Sequence, residues 1–174
     1  MKQMSAGNRR EAVLRRLDQS EEPVSASTLA EQFAVSRQII VGDIALLRAS
    51  GAEISATPRG YVSTRAAKGG VVRHVACVHT GADMGKELTL IVDAGGEVLD
   101  VIVEHPLYGQ ITGMLQIRSR YDVSSFLNKV AVCSAKPLSE LTEGIHLHTI
   151  RCPDEAVFAR VCGVLEENGF LVPT

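Results

Sequence analysis

Gly144-Ile145-His146-Leu147-His148-Thr149-Ile150 alternates apolar and polar side chains with a period of two, the pattern of a β-strand. On that reading Ile145 and Leu147 point into a core, and His146 and His148 project together from the other face. Two imidazoles on one strand face make half a metal site, although the same spacing also describes two polar surface histidines.

The other half is sought upstream. Val71-Val72-Arg73-His74-Val75-Ala76-Cys77-Val78-His79 reads as a buried strand, and residues 83–94 read as a helix. His79 closes the strand and Glu87 lies on the second turn of the helix, so a short strand-to-helix turn brings imidazole and carboxylate close. The candidate set is therefore His79, Glu87, His146 and His148. Three neutral imidazoles and one carboxylate suit a borderline divalent ion such as Zn²⁺, Ni²⁺ or Fe²⁺. His74 reads as a strand or surface histidine.

The rest of this region continues as strand 97–103, a loop at His105-Pro106-Leu107-Tyr108, strand 109–118, helix 122–135, strand 144–151 and helix 154–168. Strands and helices mix without regular parallel alternation, and residues 97–118 read as a hairpin. The expected architecture is α+β, a mainly antiparallel sheet with helices on one face.

The sequence changes character near residue 66. Before it, Val13, Leu14 and Leu17 stand at helical spacing with arginines on the opposite face, and Glu21-Glu22-Pro23-Val24 turns the chain. Ser25 or Ser27 can cap a short helix to about Phe33, and Ser36 caps a third helix, Arg37 to Ala49, stopped at Gly51. Ile40, Ile44 and Leu47 form its core stripe. Two short alternating segments follow, joined by Thr57-Pro58-Arg59-Gly60, a hairpin signal. Three helices and a hairpin describe a winged helix-turn-helix.

In such a unit the groove-facing positions start at Ser36, Arg37 and Gln38: serine holds a phosphate, arginine donates twice to guanine, and glutamine pairs with adenine. Arg59 sits at the tip of the wing. Arg9, Arg10, Arg15 and Arg16 are phosphate contacts or a solvated helix face. The alternative is a helical domain used for protein docking.

Charge agrees with this division. Residues 1–65 hold nine Lys/Arg against seven Asp/Glu, and residues 66–174 hold nine against thirteen, which places nucleic-acid binding at one end. The expected domains are 1–65, a linker over 66–70 (Ala66-Ala67-Lys68-Gly69-Gly70), and 71–174. Cys77, Cys133, Cys152 and Cys162 are widely spaced, which excludes a zinc ribbon and favours reduced thiols in or near the core. With no long apolar run and no signal-peptide pattern, the chain is read as cytoplasmic, with no membrane partner.

Two segments resemble one family. Leu29-Ala30-Glu31 through Gln38, Asp43 to Gly51 and Ala56 to Tyr61 resemble the helix-turn-helix of the niacin-responsive transcriptional repressors. His79, Glu87, Glu104-His105-Pro106-x-Tyr108-Gly109 and the pair His146, His148 are similar, in the same order, to their three-histidine (3H) domain. The resemblance implies that the four candidate ligands bind a divalent transition metal, Ni or Zn with Fe a third option. It further implies an HPr-like fold for the sensing domain, a homodimer, and nicotinic acid as co-repressor of genes for NAD synthesis and niacin uptake. The dimer would read a palindromic operator in double-stranded DNA. Pyridine nitrogen can take an open position on the ion, and His105, Tyr108 or Arg118 are candidates for the nicotinate carboxylate. The alternatives are a regulator for which the ion itself is the signal and, third, a metal-dependent enzyme with Glu104 as base.

Overall fold

Three serines set the helix starts of the N-terminal region of this computed structural model, which describes residues 5–64, 69–134 and 136–173. Ser5, Ser25 and Ser36 each accept a backbone N–H three residues on, at 3.3, 3.0 and 3.3 Å, opening α1 (Ala6–Asp18), α2 (Ala26–Gln32) and α3 (Arg37–Ala49). A cap of this kind is worth about 1 kcal/mol to its helix. Val13, Leu17, Leu29, Ile40 and Ile44 fill the space between the three helices. Between α2 and α3 the chain reverses at Ala34, which adopts a left-handed φ of 51°.

Strands β1 (Ile54–Thr57) and β2 (Gly60–Ser63) pair antiparallel, and Val24 adds a bridge to Tyr61 with N–H···O distances of 2.8 and 2.9 Å. The wing is thereby tied to the segment that enters α2. Gly60 permits this: its φ is +145°, and a Cβ there would lie 2.4 Å from the Val24 carbonyl oxygen.

A buried charged pair is built into this unit. Asp43, on the inner side of α3 and 4% exposed, accepts from Arg9 Nε at 2.6 Å and Nη2 at 3.3 Å. Arg9 was expected to meet DNA phosphate or solvent; it instead fastens α1 to α3. A buried carboxylate left without a partner would cost more than any exposed contact of that arginine supplies.

The chain divides into compact units Met1–Lys68 and Gly69–Thr174. Residues 65–68, which include most of the expected linker, lie outside the described residues.

The second unit runs β3 (Val71–Val78), α4 (Met84–Asp93), β4 (Glu97–His105), β5 (Gly109–Ile117), α5 (Arg120–Val132), β6 (Ile145–Cys152) and α6 (Glu155–Glu167). Ser119 and Asp122 form a capping box that starts α5. The four strands make one antiparallel sheet in the order β3-β6-β4-β5. Val75, Val98, Ile117 and Ile150 of the sheet share a core with Leu88 and Ile91 of α4, Val123 of α5, and Val161 and Leu165 of α6. The architecture is α+β, as the sequence indicated. Among the described residues no helix is long and apolar enough to cross a membrane.

The facing of β6 overturns an expectation. Ile145 and Leu147 are 52% and 37% exposed, whereas His146 and His148 are each 3% exposed and share the core face with Ile150 and Cys152. The period of two is correct and the side is inverted. The cause is a carboxylate delivered by α4, which makes that face a better site for imidazole than for aliphatic side chains.

Candidate metal centre and DNA-binding surface

Glu87 is the hub of the second unit. It lies in the first turn of α4 and is 1% exposed, with its carboxylate turned toward the strand ends. His79 Nε2 lies 2.7 Å and His148 Nε2 3.3 Å from Oε2, while His146 Nε2 lies 3.3 Å from Oε1. The rings pack edge to face, with centroids 4.9 Å apart for His79 and His146 and 4.8 Å for His146 and His148.

The outer nitrogens explain the convergence. His79 Nδ1 meets the Thr80 carbonyl at 2.7 Å, His146 Nδ1 the Gly144 carbonyl at 2.9 Å, and His148 Nδ1 the Asp100 carbonyl at 2.6 Å. A carbonyl only accepts, so each Nδ1 carries a hydrogen, and each neutral ring presents a lone pair on Nε2. Three lone pairs and a carboxylate then face one another, which is unfavourable unless cations stand between them. Protons on the rings supply one solution and a divalent ion the other.

Local backbone chemistry makes the arrangement possible. Gly144 has φ +93°, and a Cβ there would lie 2.3 Å from the His79 carbonyl oxygen, so only glycine lets β6 begin against the end of β3. Its carbonyl also accepts the His79 backbone N–H at 3.3 Å. Direct pairing of Cys77 with His146 and of Val101 with His148 sets the depth of both imidazoles in the sheet.

Electrostatics follow geometry. Burial alone would raise the Glu87 carboxyl, but the facing imidazoles of His146, His148 and His79 outweigh it and hold the group far below the usual carboxylate range. Burial pulls His79 down, yet its bonds to Glu87 and to the Thr80 carbonyl win and raise it.

The fold thus brings together all four residues predicted as ligands. It adds one that sequence reading treated as a core thiol: the Cys77 sulfur, a Glu87 oxygen and a His146 ring nitrogen lie within 4.8 Å of one another, all three residues buried. Cys77 precedes His79 by two positions, the spacing that places residues on one side of an extended chain, and that spacing was the available signal. Burial, then the neighbouring Glu87, pushes the thiol far above its ordinary value.

Of the expected nicotinate contacts, His105 and Tyr108 stand at the β4–β5 turn with ring centroids 5.0 Å apart. His105 Nδ1 accepts the N–H groups of Leu107 and Tyr108 at 3.2 and 3.3 Å, a turn-closing role. Arg118 follows the far end of β5 and bonds Glu97 at 2.6 Å. Strand geometry separates those two ends by about 25 Å, so the three side chains do not form one subsite. His74 is exposed and bonds Thr149 at 3.2 Å, away from the cluster.

In the first unit Ser36, Arg37 and Gln38 are exposed together at the start of α3. Ser36 Oγ is engaged as the cap, so its hydroxyl hydrogen is what it can offer a phosphate. Arg59, in the wing turn, donates to Glu22 at 2.8 Å.

Comparison with known proteins agrees with both halves. Residues 72–174 match the 3H domain and residues 9–62 an HTH domain. The chain is 46% identical over 164 residues to the probable transcription repressor NiaR of Thermotoga maritima, covering 94% of this chain and 93% of the relative. It is 43% identical over 172 residues to the transcription repressor NadR of Bacillus subtilis, covering 97% and 96%. The chain belongs to this family of 3H-domain transcription repressors, a regulator rather than an enzyme.

Proposed function

Starting from a transcription repressor of the NiaR/NadR type, we propose that this protein senses nicotinic acid at a divalent transition metal, Ni²⁺ or Zn²⁺, held by His79, Glu87, His146 and His148. The observation that carries the reading is the convergence of three imidazoles, each with Nδ1 committed to a backbone carbonyl, on one buried carboxylate. Such a donor set fits an ion that accepts five or six ligands. When bound, the ion supplies a Lewis-acid position for a pyridine nitrogen. The chain's own residues do the rest: the carbonyls of Thr80, Asp100 and Gly144 fix the imidazoles, and Glu87 supplies the negative charge that retains a dication. For the nicotinate carboxylate, Arg118 and His105 already have partners, and the hydroxyl of Tyr108, 72% exposed, is the donor we retain.

In this reading the liganded protein is a cytoplasmic homodimer. It presents Ser36, Arg37 and Gln38 of each recognition helix, with Arg59 on the wing, to a palindromic operator of NAD-synthesis and niacin-uptake genes. A coupling of about 1–3 kcal/mol between the sites suffices for regulation.

A second reading, in which the metal itself is the signal, draws on burial: Glu87, His146 and His148 are at most 3% exposed, as closed metal sites are. Calorimetry with nicotinic acid on chelated protein, and again after reloading with Ni²⁺ or Zn²⁺, separates the two. The niacin reading expects heat only from loaded protein, with operator binding strengthened by the acid. Operator binding that responds fully to metal and not to nicotinate establishes the metal sensor instead. Arg37→Ala should weaken operator binding by about 1–3 kcal/mol and leave metal affinity unchanged.

A further inference from the structure

From the same cluster we infer that Cys77 is a fifth protein donor, its sulfur completing a set of three nitrogens, one oxygen and one sulfur around the ion. The inference rests on the metal centre proposed above and extends it to a residue that the four-ligand reading leaves out. Cys77 is 0% exposed and pairs directly with His146 across β3 and β6, so both side chains enter the core from neighbouring positions on one face. Its sulfur lies within 4.8 Å of both a Glu87 oxygen and a His146 nitrogen. Ligands of one ion, at ordinary metal–sulfur and metal–nitrogen lengths, stand at most about 4.4 Å apart, so a shift of a few tenths of an ångström would let the sulfur share an ion with Glu87 and His146.

A second observation comes from Glu87 itself. Oε2 is engaged by His79 and His148, whereas Oε1, buried beside His146, accepts no hydrogen bond among the described residues. A buried carboxylate oxygen is rarely left so, and a cation between Glu87, His146 and Cys77 satisfies it. Of the other cysteines, Cys133 is exposed, and Cys152 and Cys162 belong to no such group of three ligand atoms among the described residues.

On loading, the Cys77 S–H bond breaks, its proton passes to solvent, and the sulfur electron pair forms the bond to the ion. No electrons are transferred. A thiolate in the set shifts preference toward Zn²⁺, Co²⁺ and Ni²⁺ and away from Mn²⁺ or Mg²⁺, which oxygen donors serve better.

Cobalt provides the test. Full-length protein carrying Cys133→Ser, so that no exposed thiol contributes, is chelated, titrated with Co²⁺ and followed by optical absorption. The expected result is ligand-field bands in the visible together with a sulfur-to-cobalt charge-transfer band in the near ultraviolet. That band should be lost in Cys77→Ser and Cys77→Ala while the visible bands remain. Visible bands without the near-ultraviolet band in protein that retains Cys77 would overturn the inference and leave the four-ligand centre standing. No cobalt bands at all would remove the metal centre and Cys77's role with it. Because protein with Cys77 intact decides the matter, a variant that fails to fold does not.

Discussion

Asp43 on α3 and Glu87 on α4 are both helix carboxylates sealed from solvent, at 4% and 1% exposure, yet they are neutralised in opposite ways. Asp43 faces Arg9, whose guanidinium carries its charge at any physiological pH, so the pair is complete in every state of the protein. Glu87 faces three histidines, none of which carries a permanent charge. The first arrangement is a fastening between two helices. On the proposed function the second is a receptor, because its electrostatic balance can be completed from outside the chain.

The sharpest way to break that contrast is to remove each carboxylate's charge. Glu87→Gln should lower Ni²⁺ or Zn²⁺ affinity by more than the roughly 100-fold that loss of an outer-sphere partner costs, measured by competition with a chromophoric chelator. Asp43→Asn should leave that affinity alone. If the two variants bind metal equally well, Glu87 is only a structural counter-charge.

Next in size is the fastening itself. Arg9→Ala leaves Asp43 buried with Arg10, at 3.8 Å, as its one remaining ion-pair partner among the described residues, and should destabilise the N-terminal unit by about 3 kcal/mol in denaturant titration. Replacing both partners, Arg9→Met with Asp43→Leu, should recover most of this, since no charge then remains in the core.

A third test uses pH, where metal-free and metal-loaded protein should move in opposite directions. Without metal, the lowered Glu87 contributes stability that is present above its ordinary pKa of about 4.3 and is lost only in strong acid. The raised His79 contributes stability that is full below its ordinary value of about 6.5 and fades as pH rises through its higher folded value. The Glu87–His79 pair of the metal-free protein is therefore most stabilising between about pH 4.3 and 6.5. An ion needs neutral imidazoles, so its binding strengthens across the upper part of that range and beyond. The gain in Tm on adding Ni²⁺ should thus grow between about pH 5.5 and 7.5, by several degrees. A constant gain across that interval would mean that the ion binds elsewhere.

The smallest effect sharpens the comparison from the DNA-binding side. Gly42 is exposed in the middle of α3, and a Cβ there meets nothing within 4 Å. Gly42→Ala should stabilise the N-terminal unit by about 0.5–1 kcal/mol without altering metal affinity, read by thermal melting and metal titration. A simultaneous fall in operator affinity would show that the DNA backbone or a base edge approaches α3 at this position.

Much of this was legible in the residues. Ser36 and Gly51 bracket α3, and its bounds follow from capping chemistry and the spacing of Ile40, Ile44 and Leu47. The Asp-bearing inner face of α3 was not legible. Asp43 lies on the same side as that stripe, and only the arginine brought from α1, thirty-four positions earlier, shows why a carboxylate can be buried there. Likewise, alternation along β6 fixed which residues share a face, but a period of two is the same read from either side, so it could not say which face α4 would cover.

The sequence by itself therefore determined the helix and strand order and the four residue types able to hold a divalent ion. These depend on local periodicity, capping and side-chain chemistry, which neighbours in the chain carry. The tertiary structure decided that the imidazoles lie inward, that their Nδ1 atoms are bound by the carbonyls of Thr80, Gly144 and Asp100, and that Cys77 stands among them. Those facts arise from strand register and from the docking of α4 on the sheet. Both are set by the simultaneous burial of residues far apart in sequence, and no short stretch contains that information.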